Sequence, residues 1–391
     1  MTLKRLADLA VKGKRVFCRV DFNVPLHDGK VTDALRVEAA MPTIQYLLKE
    51  GATVILASHL GRPDGQAVEK YSLEPVAILL SKLLNKEVIF VHDCIGPKVQ
   101  ARIESLVPGQ VALLENLRFH AEEEANDPDF AAQLASLADV YVDDAFAVAH
   151  RAHASVVGIP KLLPSAAGLL LQAEVDTLTG LLRAPKRPFV AVIGGAKISD
   201  KIAFMQNLLK KADTIIIGGA MANTFLAAQG HEMGASKQEK KAFKEALSIL
   251  KSAKQHGVEV ILPVDLVVAD KPEADVKTRI VTVGQLESHD MALDHGPATS
   301  TLTNEALHGA ATIFWNGTLG YTELPEFRAA SQALAQTMMH SKALTVIGGG
   351  DTAGFVDSSG WHDKFGFIST GGGAALELLA GKHLPAISAL S

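Results

Sequence analysis

The chain has 391 residues, 48% hydrophobic and 21% charged, which is apolar mass for two or three ordinary domains and excludes a disordered, fibrous or low-complexity protein. Its 38 basic and 43 acidic residues leave a net charge of −5. With 18 basic against 21 acidic residues through Gly168 and 20 against 22 beyond it, neither half is a nucleic-acid-binding surface.

From the N-terminus, residues 1–14 read as a short amphipathic segment with Leu3, Leu6 and Leu9 on one face, without the continuous apolar core of a signal peptide. No apolar run reaches the ~18 residues needed to span a membrane, so a soluble, cytoplasmic protein is expected. Cys18 and Cys94 match no metal-ligand spacing and are expected as reduced, buried thiols. Strands are predicted at 15–20, 53–57, 88–91, 111–114 and 140–142. The run Glu122-Glu123-Glu124 reads as a solvated loop or helix face. Pro160 and Pro164 then punctuate a loop, 169–182 forms one helix, and Pro185 with Pro188 ends the crossing. Further strands are predicted at 189–193, 214–217, 260–262, 311–315 and 344–347. Helix-period segments between these runs give parallel βαβ units in two α/β blocks. Strands buried on both faces explain why the runs are almost continuously apolar.

In open parallel sheets ligands bind beyond the carboxyl ends of the strands. In the first block those positions carry Asp21-Phe22-Asn23, His59-Leu60-Gly61-Arg62, Arg118 and His150-Arg151-Ala152-His153, with Arg36 just past the first loop. A lone arginine commonly pairs with a neighbouring acid. Four at strand ends suit a small polyanion, because guanidinium makes bidentate bonds to carboxylate and phosphate. For His59, His150 and His153, structural and ligand-binding roles stand open together. The second block carries glycine clusters instead: Gly194-Gly195-Ala196-Lys197, Gly218-Gly219, Gly348-Gly349-Gly350-Asp351-Thr352 and Gly371-Gly372-Gly373. Each cluster is readable as tight packing or as a backbone cradle for phosphate at a helix N-terminus. Lys197 and Lys201, four apart, are expected on one helix face. Asp351 beside Thr352 offers a station for Mg²⁺ and phosphate. No Walker A pattern occurs, and no G-x-G-x-x-G follows the first strand of either block, which disfavours P-loop and nicotinamide enzymes.

Taken in order, Arg19-Val20-Asp21-Phe22-Asn23-Val24-Pro25, His59 with Arg62, Arg118, His150-Arg151, Gly194-Gly195-Ala196-Lys197, Phe314-Trp315-Asn316-Gly317, Gly349-Gly350-Asp351-Thr352 and Ser369-Thr370-Gly371-Gly372-Gly373 resemble the bacterial-type phosphoglycerate kinase family over nearly the whole chain. The resemblance implies two Rossmann-like three-layer α/β domains, each with a largely parallel sheet, joined by a hinge helix: 1–168 plus 372–391 for phosphoglycerate, 169–184 as the hinge, and 185–371 for nucleotide. It implies reversible phosphoryl transfer between ATP and the carboxylate of 3-phosphoglycerate, in line and in a cleft closed by hinge motion. The acid site would comprise Asp21, Phe22, Asn23, Arg36, His59, Leu60, Gly61, Arg62, Arg118 and Arg151. ATP or ADP would meet Gly195, Lys197, Lys201, Gly218, Gly219, Asn316, Glu323, Gly349, Gly350, Asp351 and Thr352, with Glu323 on the ribose and Mg²⁺ at Asp351. Catalysis would fall to Arg36, Lys197, Lys201 and the N–H groups of Gly371, Gly372 and Gly373. A monomer follows from the same resemblance, while the charge balance and the lack of a long apolar run leave no nucleic-acid or membrane partner expected. The family commonly has Pro, Met and Gly after Asn316-Gly317, where this chain has Thr318-Leu319-Gly320-Tyr321-Thr322, a departure that bears on base preference. Two alternatives are a catalytically silent binding protein of this fold and an ATP-dependent kinase of another small carboxylate.

Overall fold

A computed structural model describes residues 3–391. The chain divides into two compact units, Met1–Asp176 with His383–Ser391, and Thr177–Lys382. The division falls within one helix, Leu169–Arg183.

The first unit is built on six parallel strands: β1 (Arg15–Arg19), β2 (Thr53–Ala57), β3 (Val88–Val91), β4 (Val111–Leu114), β5 (Val140–Asp143) and β6 (Ser165–Ala167). Their order is β3-β4-β2-β1-β5-β6. Every residue of β2, β4 and β5 is buried, as expected of strands covered on both faces. The main helices are α1 (Leu35–Lys49), α2 (Glu74–Leu84), α3 (Pro97–Glu104), α4 (Ala121–Ala125) and α5 (Pro128–Ala135). The N-terminal segment makes a single 3₁₀ turn at Leu6–Asp8, with Leu6 buried in this core and Leu9 packed against it. Met1 lies outside the described residues. Both cysteines are free and buried.

The second unit carries β7 (Phe189–Ile193), β8 (Thr214–Ile217), β9 (Glu259–Ile261), then an antiparallel insertion of β10 (Asp265–Ala269), β11 (Arg279–Thr282) and β12 (Met291–His295), then β13 (Thr312–Asn316), β14 (Leu344–Gly348) and β15 (Phe367–Ile368). The parallel sheet runs β9-β8-β7-β13-β14-β15, the doubly wound order whose direction reverses between β7 and β13. Trp315 on β13 is wholly buried at its centre. Gly373–Leu379 packs in this unit, where Asn207 Nδ2 donates to Leu379 O at 2.7 Å. Pro385–Ala389 belongs to the first, where Ala386 N donates to Ala149 O at 3.1 Å.

Two sequence expectations fail here for identifiable reasons. Glu123 is not a solvated residue: it is wholly buried, and its carboxylate accepts from Ser155, 32 positions away. Lys197 and Lys201 do not share a helix face, because the helix begins only at Ile202. Glu239 captures the N–H groups of Ile198 and Ser199 at 2.6 and 3.2 Å and the Ser199 hydroxyl at 2.7 Å, which holds the segment as a turn.

Candidate active site

In the first unit, polar groups collect after the carboxyl ends of β1, β2, β4 and β5, where strand order reverses between β1 and β5. Asp33 Oδ1 accepts from Leu35 N at 2.9 Å and fixes the start of α1, so Arg36 emerges from its first turn. Arg36 Nη1 meets Asp21 Oδ2 at 2.5 Å, and the other Asp21 oxygen lies 3.7 Å from His59 Nδ1. Burial, with the charges of Arg19, Arg118 and Arg36, holds the His59 pKa well below its usual value, so the ring is neutral. Arg19 Nη2 lies 3.4 Å from His59 Nδ1. A guanidinium can only donate, so Nδ1 accepts and the ring proton resides on Nε2.

Asn23, Gly61 and Arg118 form one hydrogen-bonded row: Gly61 N donates to Asn23 Oδ1, and Arg118 Nη1 donates to Gly61 O, both at 2.9 Å. Leu60 O accepts from Asn116 Nδ2 at 2.7 Å, and Glu124 pairs with Arg118 Nε at 3.1 Å. Phe22 contributes backbone here, its N–H donating to Ser58 Oγ at 2.8 Å, while its ring is wholly buried in the core. Arg62 and Arg151 are exposed. Burial, then Arg118, Arg19 and Arg151, pull the His153 pKa down to about 4, which puts Arg151 in the same cationic cluster.

Sequence reasoning omitted Arg19, Ser155 and Glu123 from this cluster. Arg19 is a wholly buried cation on β1, donating to Ser155 Oγ at 2.9 Å and to Val20 O. The available signal was a charge inside the otherwise apolar run 16–20.

In the second unit, two clefts of about 430 and 420 Å³ share Gly195, Ala196 and Asp351. The first is walled by the apolar side chains of Leu266, Met291, Leu293 and Leu319 and by Tyr321, with Gly219 and Glu323 beside them. The second carries two lysines and an amide, lined by Lys197, Lys201, Asn316, Gly349, Gly350, Thr352, Gly372 and Gly373. Gly371 is buried beside it, its N–H donating to Ser369 Oγ at 3.1 Å. Lys201 Nζ donates to Gly194 O at 2.7 Å and Asn316 Oδ1 at 2.6 Å, and burial pulls its pKa down to about 8. Thr352 is wholly buried, and its hydroxyl accepts from Gly317 N at 2.6 Å. Asp351, exposed in the first turn of Gly350–Ser358, also lines a third cleft with Glu323.

The wall between the clefts is main chain against main chain. Gly219 has φ +65°, and a Cβ there would sit 2.6 Å from Gly195 N and O, so only glycine fits. Gly218, behind it, is buried. Gly195 N donates to Thr318 O at 3.2 Å and Gly219 N to Leu319 O at 3.0 Å. A Cβ at Gly320 would lie 2.2 Å from Asp294 Oδ1, which accounts for the glycine retained in this otherwise divergent segment. Asp294 was not anticipated from sequence. It is buried at the cleft floor, and burial raises its pKa to about 7 despite bonds from the N–H groups of Ala330 and His295.

A family model described as phosphoglycerate kinase matches residues 6–382. The chain is 54% identical over 386 residues to a phosphoglycerate kinase of Moorella thermoacetica, covering 99% of this chain and 98% of that protein. It is 50% identical over 393 residues to one of Roseiflexus castenholzii, covering all of both. Its fold is similar to the phosphoglycerate kinase structures of Coxiella burnetii, with TM-score 0.90, 41% identity and coverage of 100% and 99%, and of Pyrococcus horikoshii, with TM-score 0.87, 33% identity and coverage of 99% and 98%.

Proposed function

The chain belongs to the phosphoglycerate kinase family, and on that premise we propose how its residues divide the work. The reaction is reversible transfer of a phosphoryl group between ATP and the carboxylate of 3-phosphoglycerate, giving ADP and 1,3-bisphosphoglycerate, with Mg²⁺. The observation that carries our division is the shared wall in the second unit: a cleft walled by leucine, methionine and tyrosine side chains meets one carrying Lys197, Lys201 and Asn316 at Gly195 and Asp351, as a ligand with an aromatic base and a charged tail requires.

In this reading the first cleft takes the base against Leu319 and Tyr321, Glu323 the ribose, and Gly195, Gly218, Gly219, Asn316, Gly349, Gly350 and Thr352 shape the phosphate region. The exposed Asp351 carboxylate fits a hard divalent cation and would hold Mg²⁺, which would offset negative charge on the phosphate oxygens. Asp21, Asn23, His59, Arg62, Arg118 and Arg151, with the backbone at Phe22, Leu60 and Gly61, take the acid. A substrate carboxylate is already ionised at pH 7, so no general base is needed. The protein's task is positioning and stabilisation of charge on the equatorial oxygens in flight. Arg36, Lys197, Lys201 and the N–H groups of Gly372 and Gly373 supply that charge, while the expected contribution of Gly371 is spent on Ser369 Oγ, which its N–H already meets. Direct transfer demands that acceptor oxygen and phosphorus come within about 3–3.5 Å.

An assay coupled to ADP release should give turnover that requires 3-phosphoglycerate, ATP and Mg²⁺ together. Absence of turnover, or equal rates with unphosphorylated glycerate, would overturn this assignment. The same reading makes the protein a cytoplasmic monomer without nucleic-acid or membrane partners, which sedimentation and cell fractionation test. Among the described residues no helix is long and apolar enough to cross a membrane.

A further inference from the structure

Apart from both substrate regions, the loop after β3 and the loop after β4 bring Asp93, Cys94 and His120 together. Each offers one ligand atom, and these atoms lie within 4.8 Å of one another. Cys94 is a free thiol at the buried base of the group, while Asp93 and His120 reach the surface with side chains 53% and 26% exposed. His120 Nε2 is 2.8 Å from Asp93 Oδ1, an oxygen that also accepts from Cys94 N at 2.7 Å. The imidazole packs against Phe130, ring centroids 5.3 Å apart, which limits its rotation. None of the three belongs to the proposed transfer machinery.

The acids facing the thiol are Asp93, Glu123 and Glu115. Glu115 is engaged by Ser72 Oγ and the N–H groups of Leu73 and Asn116, and Glu123 by Ser155. Both are therefore fixed sources of negative potential and not spare ligands. Burial first, and these charges second, raise the Cys94 pKa, so the sulfur stays protonated until a cation arrives.

We propose that Asp93, Cys94 and His120 form a binding site for a borderline-soft divalent cation of the zinc class, separate from the nucleotide's Mg²⁺. Thiolate sulfur with imidazole nitrogen and one carboxylate is a donor set for zinc-class ions, whereas Mg²⁺ and Ca²⁺ require oxygen ligands. Three protein ligands leave a fourth tetrahedral position for water. On binding, the Cys94 S–H bond breaks heterolytically, the sulfur's electron pair forms the metal–sulfur bond, and the proton passes to solvent. The Asp93–His120 hydrogen bond gives way to two metal–ligand bonds of about 2.0–2.2 Å, and the divalent charge is balanced by one thiolate and one carboxylate. The site sits two residues from Arg118 and draws the two loops together.

The test is titration of the full-length protein with Co²⁺ in the presence of saturating Mg·ADP, which occupies the nucleotide region. A thiolate-to-cobalt charge-transfer band should saturate near one equivalent, bleach on adding Zn²⁺ and persist in excess Mg²⁺. Cys94→Ser should abolish the band, Cys18→Ser should keep it, and His120→Gln should weaken Co²⁺ binding at least ~10-fold. Circular dichroism confirms that each variant is folded, and His120→Gln tests the site without altering the buried thiol. No band in the parent protein, a band surviving Cys94→Ser, or unchanged affinity in His120→Gln would each overturn the proposal.

Discussion

Ser155 gives both of its donors to one carboxylate, its N–H to Glu123 Oε2 at 2.9 Å and its hydroxyl to Oε1 at 2.5 Å. The same hydroxyl oxygen accepts from Arg19 Nε at 2.9 Å, so a buried anion and a buried cation are joined through one side chain. Removing one partner of such a pair strands the other charge, at a cost of about 3–5 kcal/mol. Glu123→Ala should lower the unfolding free energy by about that amount, and Ser155→Ala by about 1–3 kcal/mol. Urea denaturation measures both, and a Glu123→Ala protein as stable as its parent would mean that Arg19 is compensated elsewhere.

Arg36 is held by Asp21 in the open first turn of α1. As a donor to charge developing in the transition state, it should cost at least ~10²-fold in kcat when replaced by alanine. Steady-state kinetics with both substrates varied would separate this from a KM effect. Near-normal kcat would remove Arg36 from the catalytic role.

Lys201 should impose a pH limit on nucleotide binding. Its pKa of about 8 means that the free protein loses this cation as pH rises through 8, while a bound phosphate holds the proton on. ADP affinity should therefore fall about tenfold between pH 7 and 9. Lys201→Arg, whose charge persists throughout, should remove that decline. Calorimetric titration at the two pH values decides it, and an equal decline in the variant would place the titrating group elsewhere.

Asp144 gives a stability prediction of opposite sign to an ordinary ion-paired carboxylate. Its Oδ1 accepts from Leu170 N and Leu171 N at 2.9 and 3.2 Å, at the start of the Leu169–Arg183 helix, yet burial raises its pKa to about 7. A carboxyl whose folded pKa lies above its unfolded value of ~3.9 binds its proton more tightly when folded. Its contribution is fully present below pH ~3.9 and is lost as pH rises through 7, by on the order of a few kcal/mol. Asp144→Asn keeps an acceptor for both N–H groups and cannot ionise. The stability of the variant relative to the parent should therefore climb between pH 4 and 8, and a constant difference in denaturation free energy across that range would refute the prediction.

The parallel strands were legible because burial on both faces writes itself as continuous apolar runs, and β2, β3, β4, β7 and β8 fall where those runs lie. β6 was not, since Ser165-Ala166-Ala167 has no β-branched residue and is fixed by pairing with β5 on one edge and a bridge from Arg5 on the other. The antiparallel β10, β11 and β12 were also missed: β11 is largely exposed, so no continuous apolar run marks it. That Asp21, Arg36, His59 and Arg118 lie near one another at the strand ends was readable from their places in the chain. Glu123 was not, because it has the same composition as its exposed neighbour Glu122 and only Ser155 distinguishes them. The two lysines show the limit of spacing arguments: a four-residue interval means a shared face only if the segment is helical, and Glu239 decides that it is not.

The wall of the nucleotide region is made where Gly195 and Gly219 donate their N–H groups to the carbonyls of Thr318 and Leu319. Any residue offers those carbonyls. A lineage can thus exchange the side chain at 318 while this backbone contact survives, whereas Leu319 is held by the core, Tyr321 lines the cleft and Gly320 is fixed by its crowding against Asp294. Residue identity at 318 is accordingly a poor marker of activity among relatives, and a screen for active members is better keyed to the glycines that face this segment.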